Sequence, residues 1–227
     1  METIKQTGNK ILCRISGLAA IDDAFVDELK WPDGVASYCL LFREPVEREW
    51  EALGRITEHE RVWIVYSAVK DRAASNEIVR GARLQEAILS DRELAELFTA
   101  TRKEYYRSLN REMTPRQISE HENFIKGSLP GVRRICLKKN GLPVALLMLV
   151  EIQNYEDEIV DWVPWAWVSA SLGTEDRKIA HRQLRLWLCA GGRDRVQCSV
   201  ASHNFRSQKF FRKMGLRPEC AQILKTK

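Results

Sequence analysis

Several things are missing from this sequence, and each absence closes off a class of function. The opening METIKQTGNK has no apolar stretch behind a charged start, and no apolar run approaches the roughly 18 residues of a membrane span. A cytoplasmic protein that stays off the membrane is therefore expected. The six cysteines (Cys13, Cys39, Cys136, Cys189, Cys198 and Cys220) contain no C-x-x-C pair, which argues against a zinc site and a disulfide framework and for buried thiols. The four histidines (His59, His121, His181 and His203) form no H-x-x-x-H pair and no His/Cys cluster, so no metal centre is expected. Dense Lys/Arg blocks are also absent. A net charge of +5 and a pI near 8.9 permit an anionic partner without calling for nucleic acid.

What remains is a globular composition, 44% hydrophobic and 30% charged over 227 residues, enough for one large domain or a domain with a smaller appendage. There is no internal repeat or low-complexity tract to divide it. Residues 10 to 70 alternate apolar runs with helical stretches. Ile11 to Ile15 reads as a strand, Ala20 to Leu29 as a helix, and Val35 to Phe42 as a strand after the turn Trp31 to Gly34. A helix at Val46 to Leu53 and the β-rich run Arg61 to Val69 complete a small βαβαβ region, taken as residues 1–82.

Beyond residue 83 the periodicity predicts a helical region from Arg83 to about Asn110. A second helix starts at the Thr114 cap, has Pro115 in its first position and stops at Gly127. Asn140-Gly141 marks a hairpin turn, and the unbroken apolar run Val144 to Val150 predicts a strand covered on both faces. The next strand contains Pro164, which cannot donate to a central ladder, so a bulge is expected there. A helix from Thr174 to Ala190, capped by Thr174, should turn Ile179, Leu184, Trp187 and Leu188 to the sheet. A strand with alternating Val196, Cys198 and Val200 follows. Asn204 then caps a short helix whose inward stripe is Ser207, Phe210, Phe211 and Met214, ended by Gly215.

This order, closed by a final strand in ECAQILK, resembles the GNAT superfamily of acyl-CoA N-acyltransferases over residues 83–227. Its most specific part is N-x-x-S-x-x-F-F-x-x-x-G-L at Asn204 to Leu216, similar to the family's N-x-x-A-x-x-L-Y-x-x-x-G-F. The resemblance implies an α+β fold with a twisted mixed sheet, a bulged central strand and flanking helices, preceded by the βαβαβ region. It implies acetyl-CoA as acyl donor, an amine on a small molecule as acceptor, and a homodimer as an allowed assembly. The preceding N-terminal region also resembles the layout of nucleotide-amino-sugar N-acetyltransferases. Carried over residue by residue, it assigns donor binding to Val168, Ser169, Gly173, Arg177, Lys178, Asn204, Ser207 and Phe211. Two positions depart from the family. The pyrophosphate loop R/Q-x-x-G-x-G/A becomes LGTEDR (Leu172 to Arg177), with one glycine and the acids Glu175 and Asp176. The Tyr that often protonates the leaving thiolate is Phe211, which has no proton to give.

Acylation of an amine also needs a proton acceptor. Asp161, before the apolar stretch of Trp162, Pro164, Trp165 and Trp167, is one candidate and otherwise a turn carboxylate. Glu151 and Glu158 flank the same connection. His203, at the end of its strand, is a base or a hydrogen-bonded strand end, and Asn204 a pantetheine ligand or only a cap. The tryptophans form an acceptor wall or core. Arg206, Lys209 and Lys213, with Lys178, Arg182 and Arg185, meet donor phosphates or water. Two other readings stay open: a degenerate fold that binds a ligand or partner, and an acyltransferase fed by a carrier protein or aminoacyl-tRNA.

Overall fold

Local signals fix the helix starts. At Thr114 a capping box forms: the Thr114 hydroxyl accepts the Gln117 N–H at 3.2 Å, and the Gln117 side chain accepts the Thr114 N–H at 2.9 Å. A second box, unforeseen, joins Ser90 and Glu93. It explains why the helical region starts at Asp91 rather than Arg83: residues ahead of the cap are extended and form a short edge strand instead.

The computed structural model describes residues 2–7, 9–15, 23–42, 62–71, 84–108, 110–127, 132–202 and 204–224. Among them are ten strands and five helices in a mixed α+β fold. In chain order they are β1 (Glu2–Thr7), β2 (Lys10–Ile15), α1 (Asp23–Glu28), β3 (Ser37–Phe42), β4 (Val62–Val69), β5 (Gln85–Ala87), α2 (Asp91–Ser108) and α3 (Pro115–Gly127). There follow β6 (Arg133–Lys139), β7 (Leu142–Gln153), β8 (Ile159–Val168), α4 (Thr174–Ala190), β9 (Arg195–Ala201), α5 (Phe205–Lys213) and β10 (Arg217–Leu224). The helix expected at Val46 to Leu53 lies outside the described residues.

The chain packs as two compact units whose boundaries do not follow a linear division at residue 82. One comprises Met1–Lys70, Ile152–Asp161 and Arg193–Lys227, the other Asp71–Glu151 and Trp162–Gly192. In the first, the strand order is β1-β2-β3-β10-β4-β9, then the first residues of β8. β2 and β3 are parallel neighbours, as a βαβ unit requires. β4 is not next to β3, however: β10 lies between them, antiparallel to both. β1, a polar strand with no sequence signal of its own, forms an antiparallel pair with β2. Leu12, Cys39, Val65, Tyr155 and Cys220 form a buried cluster in this unit.

In the second unit the order is β8-β7-β6-β5. The β6–β7 hairpin turns at Asn140 (φ 53°) and Gly141 (φ 78°), both left-handed as the two-residue turn demands. Val144 to Leu149 are buried without a break, as a strand covered on both faces should be. Leu94 and Phe98 of α2 pack with Val132, Cys136, Leu146 and Met148. All six cysteines are free and buried. Pro164 lies inside β8, and the chain leaves the first unit for the second within that strand, between Asp161 and Trp162.

Candidate functional site

The connection from β8 to α4 gathers most of the residues assigned to donor binding, all in the second unit. The Ser169 N–H donates to the Val144 carbonyl at 2.8 Å, so the ladder with β7 reaches the end of β8. Because successive residues of a strand point their backbone groups to opposite edges, the N–H and C=O of Val168 are directed to the other edge of β8. Beyond it the loop is braced from inside. The Arg177 guanidinium donates to the carbonyls of Ala170 (3.0 Å) and Leu172 (2.8 Å), and Ser169 Oγ accepts the Ser171 N–H at 3.2 Å. Arg177 is thus a clamp on the loop rather than a free cation.

The cap of α4 differs from expectation. Thr174 is already helical, and the capping position is Gly173 (φ −61°, ψ 164°), with no side chain on the first-turn N–H groups. A Cβ added at Gly173 would meet nothing within 4 Å, so the helix end opens outward. The acids that would repel an anion are compensated: Glu175 pairs with Lys178 at 2.7 Å, and buried Asp176 pairs with Lys139 at 2.5 Å. What faces out is the positive end of a 17-residue helix dipole.

β8 also carries the tryptophans. Trp165 and Trp167, two residues apart and so on one face, both donate to α2: Trp165 to the Thr101 hydroxyl at 2.9 Å, Trp167 to the Glu104 carboxylate at 3.0 Å. Trp165 packs edge-on against Phe98 and Tyr105. Trp165 is therefore wall and core together, while Trp167 holds an exposed carboxylate in place. Glu104 was not legible in advance, because nothing local in sequence joins residues 63 apart.

Under this wall lies buried His121. Thr99 Oγ1 donates to the Ala95 carbonyl at 2.7 Å, so it accepts from His121 Nε2 at 2.8 Å, and Nδ1 faces an Arg102 nitrogen at 3.4 Å. Burial first, then the Arg102 charge, hold the imidazole below its ordinary value of 6.5; Lys103 adds to this and Glu122 opposes it. The unfolded chain then takes up the proton more readily than the fold. Stability should fall as pH drops through the window between 6.5 and the lowered value, and be fully present above it. Urea midpoints at pH 7.5 and 5, compared with those of His121→Gln, test this. The wild type should lose more stability in acid than the variant; equal losses would refute it.

In the first unit, Asp161 has another task than the one foreseen. Its carboxylate forms an ion pair with Lys70, side chains 1% and 0% exposed, and accepts the Arg193 N–H at 3.1 Å. A carboxylate so enclosed is out of reach of an acceptor amine. Asn204 caps α5, its Oδ1 accepting the Ser207 N–H at 3.0 Å. Phe211 is buried, whereas Ser207 and Phe210 are only half-buried; the inward stripe is Gln208, Phe211 and Met214. Gln208 was missed because a Gln reads as surface. Buried, it accepts from the Tyr66 hydroxyl (3.2 Å) and donates to the Ser202 carbonyl (2.6 Å). Glu151, in the second unit, is exposed on β7, and His203 lies outside the described residues.

The first unit also has a cleft of about 750 Å³ at the ends of β4, β8, β9 and β10, lined by Val69, Ile159, Arg193, Arg195, Arg217 and Glu219 among others. Its floor is Arg195, whose guanidinium donates to Glu156 (2.7 Å), Glu158, Glu219 and the Ser67 hydroxyl (3.0 Å). This cation is fully engaged within the protein.

No protein-family model matches the chain, and no curated protein does. Solved structures do, and several are GNAT-family acetyltransferases at low identity. A GNAT-family acetyltransferase from Colwellia psychrerythraea matches at 13% identity and TM-score 0.44, over 85% of this chain and 66% of its own. The aminoglycoside N-acetyltransferase AAC(6')-Iy in complex with CoA matches at 15% identity and TM-score 0.41, over 63% and 93%. A functionally unknown conserved protein from Staphylococcus epidermidis matches at 10% identity and TM-score 0.48, over 82% and 70%. No helix among the described residues is long and apolar enough to cross a membrane.

Proposed function

We propose that the chain is an N-acyltransferase that moves an acetyl group from the thioester of acetyl-CoA to the amine of a small-molecule acceptor. The observation that carries this reading is the α4 start: an outward-opening helix end without a side-chain cap, on a loop braced by Arg177, directly after a strand whose Val168 backbone groups point away from β7. Phosphates suit such an end, since several N–H groups converge on it and its acids are already paired. The Val168 backbone offers one donor and one acceptor to the amide-containing arm. When bound, the donor supplies an acyl carbon and a thiolate leaving group. The acceptor nitrogen bonds to that carbon as the carbon–sulfur bond breaks, and the net proton transfer is from amine to thiolate.

Glu104 is the group we assign to the acceptor. It is exposed, fixed by the Trp167 indole, and offers a counter-charge for an ammonium over an aromatic wall. Glu104→Gln should raise the acceptor KM about tenfold while changing kcat little, the mark of lost binding rather than lost chemistry.

Calorimetric titration with acetyl-CoA tests the donor half. One site of micromolar affinity is expected. Arg177→Lys, which keeps the charge but loses the two-carbonyl clamp, should weaken it about tenfold. No binding at millimolar acetyl-CoA would sink the reading. The second reading, binding without transfer, is favoured by one fact: the side chain at the family's proton-donor position is Phe211, buried and without a hydroxyl. Tight CoA binding with no product across a panel of amines would establish it.

A further inference from the structure

α5 is unusual in charge: FRSQKFFRK carries four basic residues and no acid. Gln208 and Phe211 point inward. At 100° per residue, the opposite side collects Phe205, Arg206, Lys209 and Lys213. All four are exposed, and Phe205 is 51% exposed. Arg206, Lys209 and Lys213 make no ion pair among the described residues. The helix thus shows one half-exposed aromatic ring beside three exposed cations that have no ion pair among the described residues, spaced along two turns.

We infer that this face docks an acidic protein segment, a helix bearing carboxylates at three- and four-residue spacing with an apolar notch for Phe205. Arg206, Lys209 and Lys213 are three and four residues apart, the same spacing as the carboxylates on one face of such a helix. Exposed aromatic and Arg side chains, here Phe205 and Arg206, are among the residue types enriched at protein interfaces. A nucleic acid fits less well. The patch offers a single exposed ring, whereas a single-stranded nucleic acid would stack successive bases on several. This inference does not depend on acyl transfer.

The probe is a fluorescein-labelled helical peptide with Glu at alternating three- and four-residue spacing and a Leu stripe, read by anisotropy at two salt concentrations. The wild-type chain should bind it, more weakly at high salt. Arg206→Glu/Lys209→Glu/Lys213→Glu should lose at least about tenfold in affinity, and Phe205→Ala severalfold. Replacing the peptide's leucines by Ser should cost as much as Phe205→Ala. Circular dichroism checks that the surface variants stay folded. The inference is overturned if the triple variant binds as well as the wild type, if oligo(U) RNA binds more tightly than the peptide, or if saturating CoA displaces the peptide and so claims the cations for its phosphates.

Discussion

Asp161→Ala should cost about 3–5 kcal/mol of folding stability, the largest loss expected from any single substitution described above. The reason is not the worth of the ion pair but what its removal leaves behind. Lys70 Nζ is buried without exposure, and without Asp161 its charge has lost the carboxylate that compensates its desolvation. The Arg193 N–H loses its acceptor as well. Replacing both partners, in Lys70→Met/Asp161→Leu, should restore stability to within about 1–2 kcal/mol of wild type, since a buried pair gains little over well-packed apolar groups. Urea midpoints of the three proteins decide the matter; a wild-type midpoint for Asp161→Ala would refute it. The double variant also separates roles. If it transfers acyl groups at the wild-type rate, Asp161 is no proton acceptor.

Arg195→Met comes next, with an expected loss of about 2–3 kcal/mol. The figure is discounted because Glu158 is 53% exposed and solvent screens that contact, whereas Glu219 at 23% is not so relieved. Without the guanidinium, Glu156, Glu158 and Glu219 face one another with no cation between them. Arg195→Lys should recover only part of the loss, because an ammonium cannot replace a fork that reaches four acceptors. Adding Glu219→Gln to Arg195→Met should recover some stability by removing one repelling charge. A further loss on adding it would show that the cluster is not held by charge balance. The same changes should open the floor of the 750 Å³ cleft.

How far the sequence reaches is clear from these residues. The Thr114 cap, the Asn140-Gly141 turn and the doubly covered β7 were legible because each is written within a few neighbouring positions. The Lys70–Asp161 pair was not: two charged residues 91 apart carry no mark that they will be buried against each other. In the α5 stripe Phe211 and Met214 are buried as read, but Gln208 takes the inward place given to Ser207 and Phe210, and its hydrogen bonds with Tyr66 and Ser202 are what make the burial of a polar side chain tolerable. The cap of α4 lies at Gly173 rather than Thr174: a capping residue type is a permission, and here Thr174 is already inside the helix. For the proposed site, the resemblance pointed to the α4 loop and the sequence to the tryptophans of β8, whereas the Trp167–Glu104 contact joins residues 63 apart and carries no local mark.

The position of β10 between β3 and β4 has a consequence for the order of events during synthesis. The two strands that flank it emerge early, yet neither finds its neighbour until more than 140 residues later, when the segment after α5 is made. At ordinary elongation rates that is a wait of roughly ten seconds. Throughout it, the apolar edges of β3 and β4 are open templates for wrong pairing. The second unit has no such wait for its β6–β7 hairpin and the helices before it. On the ribosome, the half that begins later should therefore be the half that folds first.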